Sequence, residues 1–208
     1  MTHPPLPSSP AAERNKQPIL EVLARVLPAH GDALELAAGT GQHAAWFAAA
    51  LTRWNWQPTE ADARLLPVLA RRVEAAGLPN LRAPLQLDAT APEWPLPAHA
   101  FDAIYCANML HIAPWAACAG LMHGAARHLR AGGLLVTYGP YLEDAVPTAP
   151  GNLAFDADLR ARDPAWGLRR LEDVAAEARR AGLALRERHA MPANNLLLVF
   201  GFSEAAAS

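Results

Sequence analysis

The chain has 208 residues, a formal net charge of −2, 52% hydrophobic residues and 18% charged residues. This length suits one domain with a full core, and the composition favours a compact soluble protein over a disordered one. The charge balance provides no overall basic field for nucleic acid, and the apolar runs fall short of the roughly 20 residues that a membrane helix needs, so we expect neither partner.

The N-terminal segment MTHPPLPSSP is rich in proline and serine and lacks the basic-then-apolar order of a signal peptide. We therefore predict a flexible tail over residues 1–10 and a cytoplasmic location. Residues 13–27 place apolar side chains on one helical stripe, which predicts a first helix that begins near Ala11.

Short apolar runs and segments of helical period then alternate along the chain. The runs predict strands over residues 33–38, 54–59, 81–87, 100–107 and 133–138. The helical segments cover residues 42–51, 64–76 and 114–129, and Gly77 suits a C-cap for the second of them. Strands that alternate with helices imply a parallel sheet with right-handed crossovers.

The C-terminal third of the chain departs from this alternation. Residues 139–167 combine several prolines with aspartates, arginines and aromatic residues, and a segment of this length without a simple period is typical of a functional lid. A helix over residues 171–181 follows. Two strands, over residues 183–189 and 195–202, are joined by a short connection that predicts a hairpin, and residues 204–208 are predicted to form a frayed tail.

The two cysteines, Cys106 and Cys118, fall on a predicted strand and a predicted helix with no paired motif around them. We expect reduced, buried thiols in preference to a disulfide or a metal pair. No compact set of His, Cys and Asp residues has the spacing of a metal site, so no metal is expected.

The turn after the first predicted strand is the strongest motif. Gly39-Thr40-Gly41 followed by Ala44 fits the pattern G-x-G-x-x-G/A, in which backbone approaches a nucleotide at the start of a helix. Glu60, at the end of the second strand, is placed to bind the ribose hydroxyls of an adenosine-containing cofactor. A tight strand-to-helix connection without a ligand is the structural alternative.

Glu35 distinguishes between the cofactors that use such a turn. It lies within the first strand, four residues before Gly39. A carboxylate there suits an aminated ligand, such as the methionine part of S-adenosylmethionine (SAM), and repels a pyrophosphate. The residue favours SAM, and a nicotinamide-dependent oxidoreductase remains an alternative that rests on the glycine turn alone.

The segment LELAAGTGQHA resembles motif I of class I SAM-dependent methyltransferases, whose usual form is acidic-x-Gly-x-Gly-x-Gly. It departs from that form at Ala37, where the first glycine is expected. The resemblance implies that Asp88, in LQLDAT, reads the adenine amino group and that Asn108, in IYCANMLH, lies beside the transferred methyl. The terminal hairpin matches the reversed last strand of the methyltransferase sheet, which a dehydrogenase lacks.

Almost the whole chain is similar to the DUF938, or methyltransferase-like 26, family of class I methyltransferase-like proteins, through the segments SPAAERNKQPIL, GTGQHA, WQPTEAD, CANMLHIAPW, YGPY, FDADLRARDPAWGLR and MPANNLLLVF. The resemblance implies a single Rossmann-like α/β domain over residues 11–203. Its sheet has seven strands, mostly parallel, with a C-terminal antiparallel hairpin and helices on both faces. The family implies a fold and a cofactor but no settled substrate.

The motifs and the resemblance together define a predicted cofactor site and a predicted catalytic pair. We expect the cofactor, SAM or its product S-adenosylhomocysteine (SAH), to contact Glu35, Ala37, Gly39, Thr40, Gly41, His43, Glu60, Asp88, Ala89, Asn108, Arg14 and Asn15. His111, three residues after Asn108, is the candidate base for a hydroxyl or amine acceptor, and both residues are predicted to be catalytic. A turn-capping role for His111 and helix packing for His43 are equally compatible with the sequence, and His123 and His128 are expected at the surface or in packing.

Two segments are candidate lids. The first covers residues 11–28, where Arg14 or Asn15 is predicted to reach the cofactor or the acceptor. The alternative is a solvent-exposed helix end without a ligand-binding role. The second covers residues 139–167, and its predicted substrate-binding residues, with one from the hairpin connection, are Tyr138, Tyr141, Asn152, Phe155, Arg160, Trp166 and Asn194. Arg160 and Arg162 suit an anionic acceptor or, equally, ion pairs with neighbouring aspartates.

The sequence therefore predicts a SAM-dependent methyltransferase that methylates an oxygen or nitrogen of an enclosed small molecule. Nucleic acid is not expected, because it requires an open basic groove, and Asn108 does not begin the Asn-Pro-Pro-aromatic pattern of base methylation. A non-catalytic SAM- or SAH-binding module that acts through a protein partner remains the alternative. We expect a monomer or a homodimer.

Overall fold

The computed structural model describes residues 5–203. Its strands are β1 Gly31–Leu36, β2 Trp54–Glu60, β3 Leu85–Gln86, β4 Phe101–Ala107, β5 Leu129–Gly139, β6 Tyr141–Leu142, β7 Arg169–Arg170, β8 Leu183–Met191 and β9 Asn195–Phe202. Its helices are α1 Pro10–Val26, α2 Gln42–Ala50, α3 Leu66–Ala76, α4 Trp115–His128, α5 Pro150–Arg162 and α6 Leu171–Arg180. The predicted tail over residues 204–208 and the first four residues of the predicted N-terminal tail lie outside the described residues.

Seven strands form one sheet in the order β3-β2-β1-β4-β5-β9-β8, while β6 and β7 pair in a separate parallel ladder. β1 runs parallel to β2, and β4 runs parallel to β5. β9 runs antiparallel to both β5 and β8, which makes the last two strands the predicted C-terminal hairpin. The prediction of a mostly parallel Rossmann-like α/β sheet is therefore confirmed.

The chain divides into two compact units, and the first ends at Asp88. It holds β1 to β3 and α1 to α3, with the rings of Phe47 and Trp56 packed 5.4 Å apart in its core. Ser9 caps α1 by accepting a hydrogen bond from the backbone of the first turn, as a helix N-cap residue does. Gly77 closes α3 in the left-handed conformation, as predicted.

The second unit, from Ala89 onward, holds β4 to β9 and α4 to α6. Residues 196–200 of β9 are buried without a break, because this strand lies between two neighbours in the sheet. Cys106 and Cys118 are buried thiols that form no disulfide among the described residues, as predicted. Within the described part of the chain, none of the helices has the length and apolarity needed to cross a membrane.

The helix α5 and the strand β3 differ from the prediction, and the two-residue strands β6 and β7 were not predicted. Residues 139–167 contain the 13-residue helix α5, which the sequence analysis did not predict. Leu159 is the one residue of α5 that is buried, so the helix has no apolar stripe to reveal its period. The third strand, β3, has only two residues and both are exposed, with Leu81 joined to Trp56 by a separate bridge. Its predicted range of 81–87 was therefore too long.

Candidate cofactor and acceptor site

The turn between β1 and α2 has the backbone that the motif requires. Ala37, Gly39 and Gly41 have φ angles of 53°, 56° and 77°, all in the left-handed region. A Cβ built on Gly39 meets no atom of residues 5–203 within 4 Å, so the backbone there is open to a ligand as far as the structure describes the chain. A Cβ on Gly41 lies 2.5 Å from the side chain of Leu69, so this glycine allows α3 to pack against the turn.

Glu60 is tied to this turn. Its Oε2 accepts a hydrogen bond from the Gly39 backbone at 2.8 Å, and its Oε1 accepts one from the Asp62 backbone at 3.1 Å. A carboxylate has about four lone-pair positions, so these two bonds leave capacity for ribose hydroxyls. Glu60, which is predicted to bind the ribose, is therefore held in place by the backbone of the glycine turn.

Glu35 is 2% exposed, and its Oε2 accepts a hydrogen bond from the indole of Trp56 at 2.6 Å. Burial, followed by the nearby charge of Glu60, raises the pKa of Glu35 to about 8. The carboxyl group is consequently protonated at neutral pH until a cation lies beside it. The preference for SAM over a pyrophosphate assumed that Glu35 is ionised. A protonated carboxyl group does not repel a pyrophosphate, so Glu35 discriminates between them less than the sequence suggested.

The start of α1 lies against the glycine turn. Gln42 donates a hydrogen bond to Glu13 at 2.7 Å, and the guanidinium of Arg72 donates to the carbonyl oxygens of both Thr40 and Pro7. These bonds connect the N-terminal segment with the turn and with α3. Residues 7–13, which include part of the predicted flexible tail, are therefore fastened beside the predicted cofactor site.

His43 is buried and bonds through Nε2 to the Asn15 Oδ1 at 2.7 Å, while its ring stacks on Phe47 at 5.2 Å. Burial and the charge of Lys16 lower the pKa of His43 to about 4, so the ring is neutral. These contacts match the packing alternative for His43. The amide N–H groups of Asn15 make no hydrogen bond among residues 5–203, and Arg14 is exposed at the surface of α1.

The predicted catalytic residues come together at the end of β5. Asn108 has a φ of 60°, and its backbone N–H donates to the carbonyl oxygen of Tyr138 at 2.8 Å. A Cβ built on Gly139 lies 3.4 Å from the Nδ1 of His111 and 3.6 Å from the Oδ1 of Asn108. Gly139, which the sequence analysis did not single out, therefore provides the space into which both side chains converge.

His111 has the environment of a neutral base. It is 5% exposed, and burial, followed by the charge of Arg169, lowers its pKa to about 4. Its ring contacts the ring of Phe155 edge-on at 5.5 Å. Within residues 5–203 neither ring nitrogen makes a hydrogen bond, so the imidazole does not serve as a turn cap among them.

Arg169 holds the loop that carries His111. Its guanidinium donates hydrogen bonds to the carbonyl oxygens of Leu110 at 2.8 Å and Ala113 at 2.6 Å. The backbone N–H of Gly167 donates to the carbonyl oxygen of His111 at 3.0 Å. This role of Arg169 was not predicted, although Arg169 ends the segment FDADLRARDPAWGLR that carries the family resemblance.

Three predicted substrate residues, Tyr141, Asn152 and Asn194, line one pocket of about 190 Å³ in the second unit. Asn152 donates a hydrogen bond to the Asn194 carbonyl oxygen at 3.1 Å. The Tyr141 hydroxyl is paired with Thr137 at 2.8 Å, and burial raises the pKa of Tyr141. Tyr138 is buried, and it meets the site through its backbone carbonyl.

The two arginines of the second candidate lid are engaged with neighbours. Arg160 pairs with Asp156 at 2.9 Å, which is the structural alternative that the sequence left open. Arg162 lies over the ring of Trp166 at 5.2 Å. Neither guanidinium is positioned as an isolated cation for an acidic acceptor.

Asp88 and Ala89, the two predicted cofactor residues after β3, differ in their exposure to solvent. Asp88 is exposed, whereas Ala89 is buried and its carbonyl oxygen lies 2.0 Å from a Cβ built on Gly120 of α4. Gly120 thus allows the backbone after β3 to approach the helix closely.

His128 is buried and bonds to the Gly124 carbonyl oxygen, which confirms the packing role expected for it. Among residues 5–203 no three His, Cys, Asp or Glu side chains form a metal-binding group.

Comparison with known proteins identifies the family. Residues 6–201 match the profile described as "Protein of unknown function (DUF938)". The chain belongs to the DUF938 family. The match covers nearly all of the sequence, so it includes the glycine turn, the loop after β4 and the terminal hairpin.

Solved structures show where this DUF938 fold recurs. An O-methyltransferase family protein from Burkholderia thailandensis is 18% identical, with a TM-score of 0.75 over 93% of this chain and 57% of that one. An O-methyltransferase family 2 protein from Planctomyces limnophilus, in complex with apigenin, is 19% identical, with a TM-score of 0.76 over 93% and 60%. CalO1, a methyltransferase in calicheamicin biosynthesis in its SAH-bound form, is 14% identical, with a TM-score of 0.72 over 93% and 55%. The DUF938 chain thus has the methyltransferase fold and spans just over half of each of these proteins.

Proposed function

We propose that this chain is a SAM-dependent methyltransferase that methylates an oxygen or nitrogen of a small molecule. One observation carries the proposal: the turn at residues 37–41 is left-handed at three positions, bare at Gly39, and lies between the buried carboxyl group of Glu35 and the carboxylate of Glu60. The shared fold with SAM-dependent enzymes supports the same cofactor.

The residues of the first unit suit SAM in their chemistry. The open backbone at Gly39 is where the cofactor would lie against the turn, and Glu60 would accept hydrogen bonds from the ribose hydroxyls. Glu35 would pair with the amino group, whose charge favours the ionised carboxylate. Asn15 would donate its free amide N–H groups to the cofactor carboxylate. When bound, SAM supplies an electrophilic methyl group on a sulfonium.

His111 and Asn108 suit the acceptor side of the reaction. The His111 imidazole is unprotonated and has no hydrogen-bond partner among residues 5–203, so a ring nitrogen is open to an acceptor hydroxyl. Its lowered pKa makes it a weak base, so it would take the hydroxyl proton as the methyl group is transferred and not before. The ring of Phe155 shields one side of the imidazole, and Asn108 would orient the acceptor. Positioning in a site that excludes water would supply the rest of the acceleration.

A non-catalytic SAM- or SAH-binding module is the second candidate. The observation that favours it is the exposure of large apolar side chains near the His111 loop, where Ile112 is 44% and Trp115 is 37% exposed. Such a module would bind SAM and SAH but transfer no methyl group. An oxidoreductase is the weaker alternative, since an antiparallel last strand is not expected of a dinucleotide-binding sheet.

Calorimetry with SAM, SAH and NAD tests the cofactor. We expect SAM and SAH to bind and NAD not to bind. Glu35→Gln removes the carboxylate that pairs with the amino group and should weaken SAM binding by about tenfold or more, because a charge-assisted hydrogen bond contributes roughly 1.5–3 kcal/mol.

Glu74→Gln, which changes an exposed carboxylate on α3, is the matched control and should leave SAM affinity unaltered. A preference for NAD would overturn the proposal. Transfer of a labelled methyl group to a panel of phenols and amines separates the enzyme from the binding module, which would bind SAM without any transfer.

A further inference from the structure

The pocket lined by Tyr141, Asn152 and Asn194 contains two charged side chains that neutralise each other. The guanidinium of Arg188 donates to both carboxylate oxygens of Glu143, at 2.6 and 2.7 Å. This two-pronged geometry is the strongest form of an arginine–carboxylate pair. No other charged residue is among those that line the pocket, so its described walls present no unpaired charge.

The other polar side chains that line the pocket are uncharged, namely the amides of Asn152, Asn194 and Asn195 and the hydroxyls of Tyr141 and Thr148. Asn152 uses one N–H on the Asn194 backbone, which leaves its Oδ1 and second N–H available. The Asn194 side chain makes no hydrogen bond within residues 5–203. Met191 and Leu196 are buried and supply apolar surface to the same pocket. Uncharged hydrogen-bond donors and acceptors on an apolar wall suit a ligand that is polar but uncharged.

Helix α5 connects this pocket with the predicted base. Asn152 lines the pocket, and Phe155, three residues later and therefore on the same side of the helix, contacts the ring of His111. Three residues, a rise of about 5 Å along α5, therefore separate a residue that lines the pocket from one that contacts the imidazole, although neither Phe155 nor His111 lines the pocket itself.

We infer that this pocket binds the acceptor, that the acceptor is uncharged and about the size of one substituted ring, and that Glu143 excludes anionic molecules by occupying Arg188. The inference deepens the proposed methyltransferase function and rests on it. The volume of about 190 Å³ supports the size, since a cavity of roughly 150 Å³ holds benzene.

A pair of probes that differ only in charge tests this inference. We would measure binding of 4-hydroxybenzamide and 4-hydroxybenzoate to the full chain at neutral pH by ligand-observed NMR titration. The unmodified protein should bind the amide at least tenfold more tightly than the carboxylate. Glu143→Gln frees the guanidinium of Arg188 and should bring the affinity for the carboxylate to at least that for the amide, because an unpaired arginine binds a carboxylate with two hydrogen bonds.

Two further variants separate this effect from a general disturbance. The double variant Glu143→Gln/Arg188→Gln should lose the gained affinity for 4-hydroxybenzoate. Asp144→Asn breaks the adjacent ion pair with Arg170, which does not line the pocket, and should keep the original preference for the amide.

The inference is overturned if neither probe binds, if both bind equally to the unmodified protein, or if Glu143→Gln leaves the preference as it was. SAM titrations on the same samples keep the two proposals distinct. Probe selectivity without SAM binding would refute the proposed methyltransferase and leave a neutral-ligand pocket. SAM binding and methyl transfer to other acceptors, with neither probe bound, would refute the pocket alone.

Discussion

Ala37 has a φ of 53°, a conformation that costs a residue with a Cβ atom about 1–2 kcal/mol and costs glycine little. The position is the first of three left-handed residues in the turn after β1. The turn has therefore kept its shape without the glycine that the related motif carries at this point. The alanine stores strain beside the predicted cofactor.

Ala37→Gly should consequently raise the free energy of unfolding by about 0.5–1 kcal/mol, after allowance for the greater freedom of glycine in the unfolded chain. Chemical denaturation of the purified variant measures this change. Ala38→Gly is the control, since Ala38 does not have a positive φ, and it should be destabilising. Two variants that shift stability in the same direction would contradict the assignment of strain to Ala37.

The loop between β4 and α4 is the element on which the predicted chemistry depends. It carries Asn108 and His111, and its backbone carbonyl groups are held by the guanidinium of Arg169 from β7. The hydrogen bonds of the Arg169 guanidinium go to the backbone carbonyl oxygens of Leu110, Ala113 and Ala165, so it acts on His111 through the loop and through its charge. We regard it as a positioning residue.

Arg169→Lys keeps the charge but loses the planar fork that spans two carbonyl oxygens. If the chain is a methyltransferase, kcat should fall by about tenfold, while the dissociation constant for SAM stays the same, because Arg169 serves the acceptor side. Steady-state kinetics and calorimetry on one preparation measure both values.

Arg170→Lys is the neighbouring control, since Arg170 pairs with the exposed carboxylates of Asp144 and Asp173. It should leave kcat near the original value. Equal losses of kcat in the two variants, or a loss confined to thermal stability, would contradict a positioning role for Arg169.

At the scale of the whole molecule, three buried side chains link stability to pH. The pKa of Glu35 rises from 4.5 to about 8, so the folded protein keeps a proton that the unfolded chain releases, and stability falls as pH rises through this window. The pKa values of His43 and His111 fall from 6.5 to about 4. The unfolded chain then binds protons that the folded protein does not, and stability falls as pH drops from 6.5.

Below pH 6.5 the two histidines raise the free energy of unfolding with pH more than Glu35 lowers it, and above pH 6.5 only the effect of Glu35 remains. The free energy of unfolding should therefore be greatest at about pH 6.5. Between its unfolded and its folded pKa, each of these groups changes the free energy of unfolding by about 1.4 kcal/mol per pH unit. Thermal denaturation between pH 4.5 and 8 measures the profile. In Glu35→Gln the free energy of unfolding should no longer fall as pH rises above 6.5. In the double variant His43→Gln/His111→Gln it should rise, and not fall, as pH drops below 6.5. A profile with no maximum in this range would show that burial does not displace these groups as described.

The sequence points to the residues of the candidate site to different degrees, for physical reasons. Asn108 and His111 were predicted because a polar residue at the end of a buried strand is visible locally, and in the structure both side chains lie close to Gly139. The roles of Arg169 and Glu143 were not identified, since their partners are distant in sequence and an isolated charged residue has no local signal. The protonation of Glu35 also depends on burial, which no spacing of residues reveals.

The sequence by itself determined the strand-turn-helix order, the left-handed glycine turn and the terminal hairpin, because these follow from short-range periodicity and from the conformations that each residue allows. Only the tertiary structure decided that Arg169 holds the loop that carries His111, that the Glu143–Arg188 ion pair leaves the pocket without an unpaired charge, and that Glu35, His43 and His111 are uncharged. Those properties arise from contacts between segments far apart in the chain and from the exclusion of water around them.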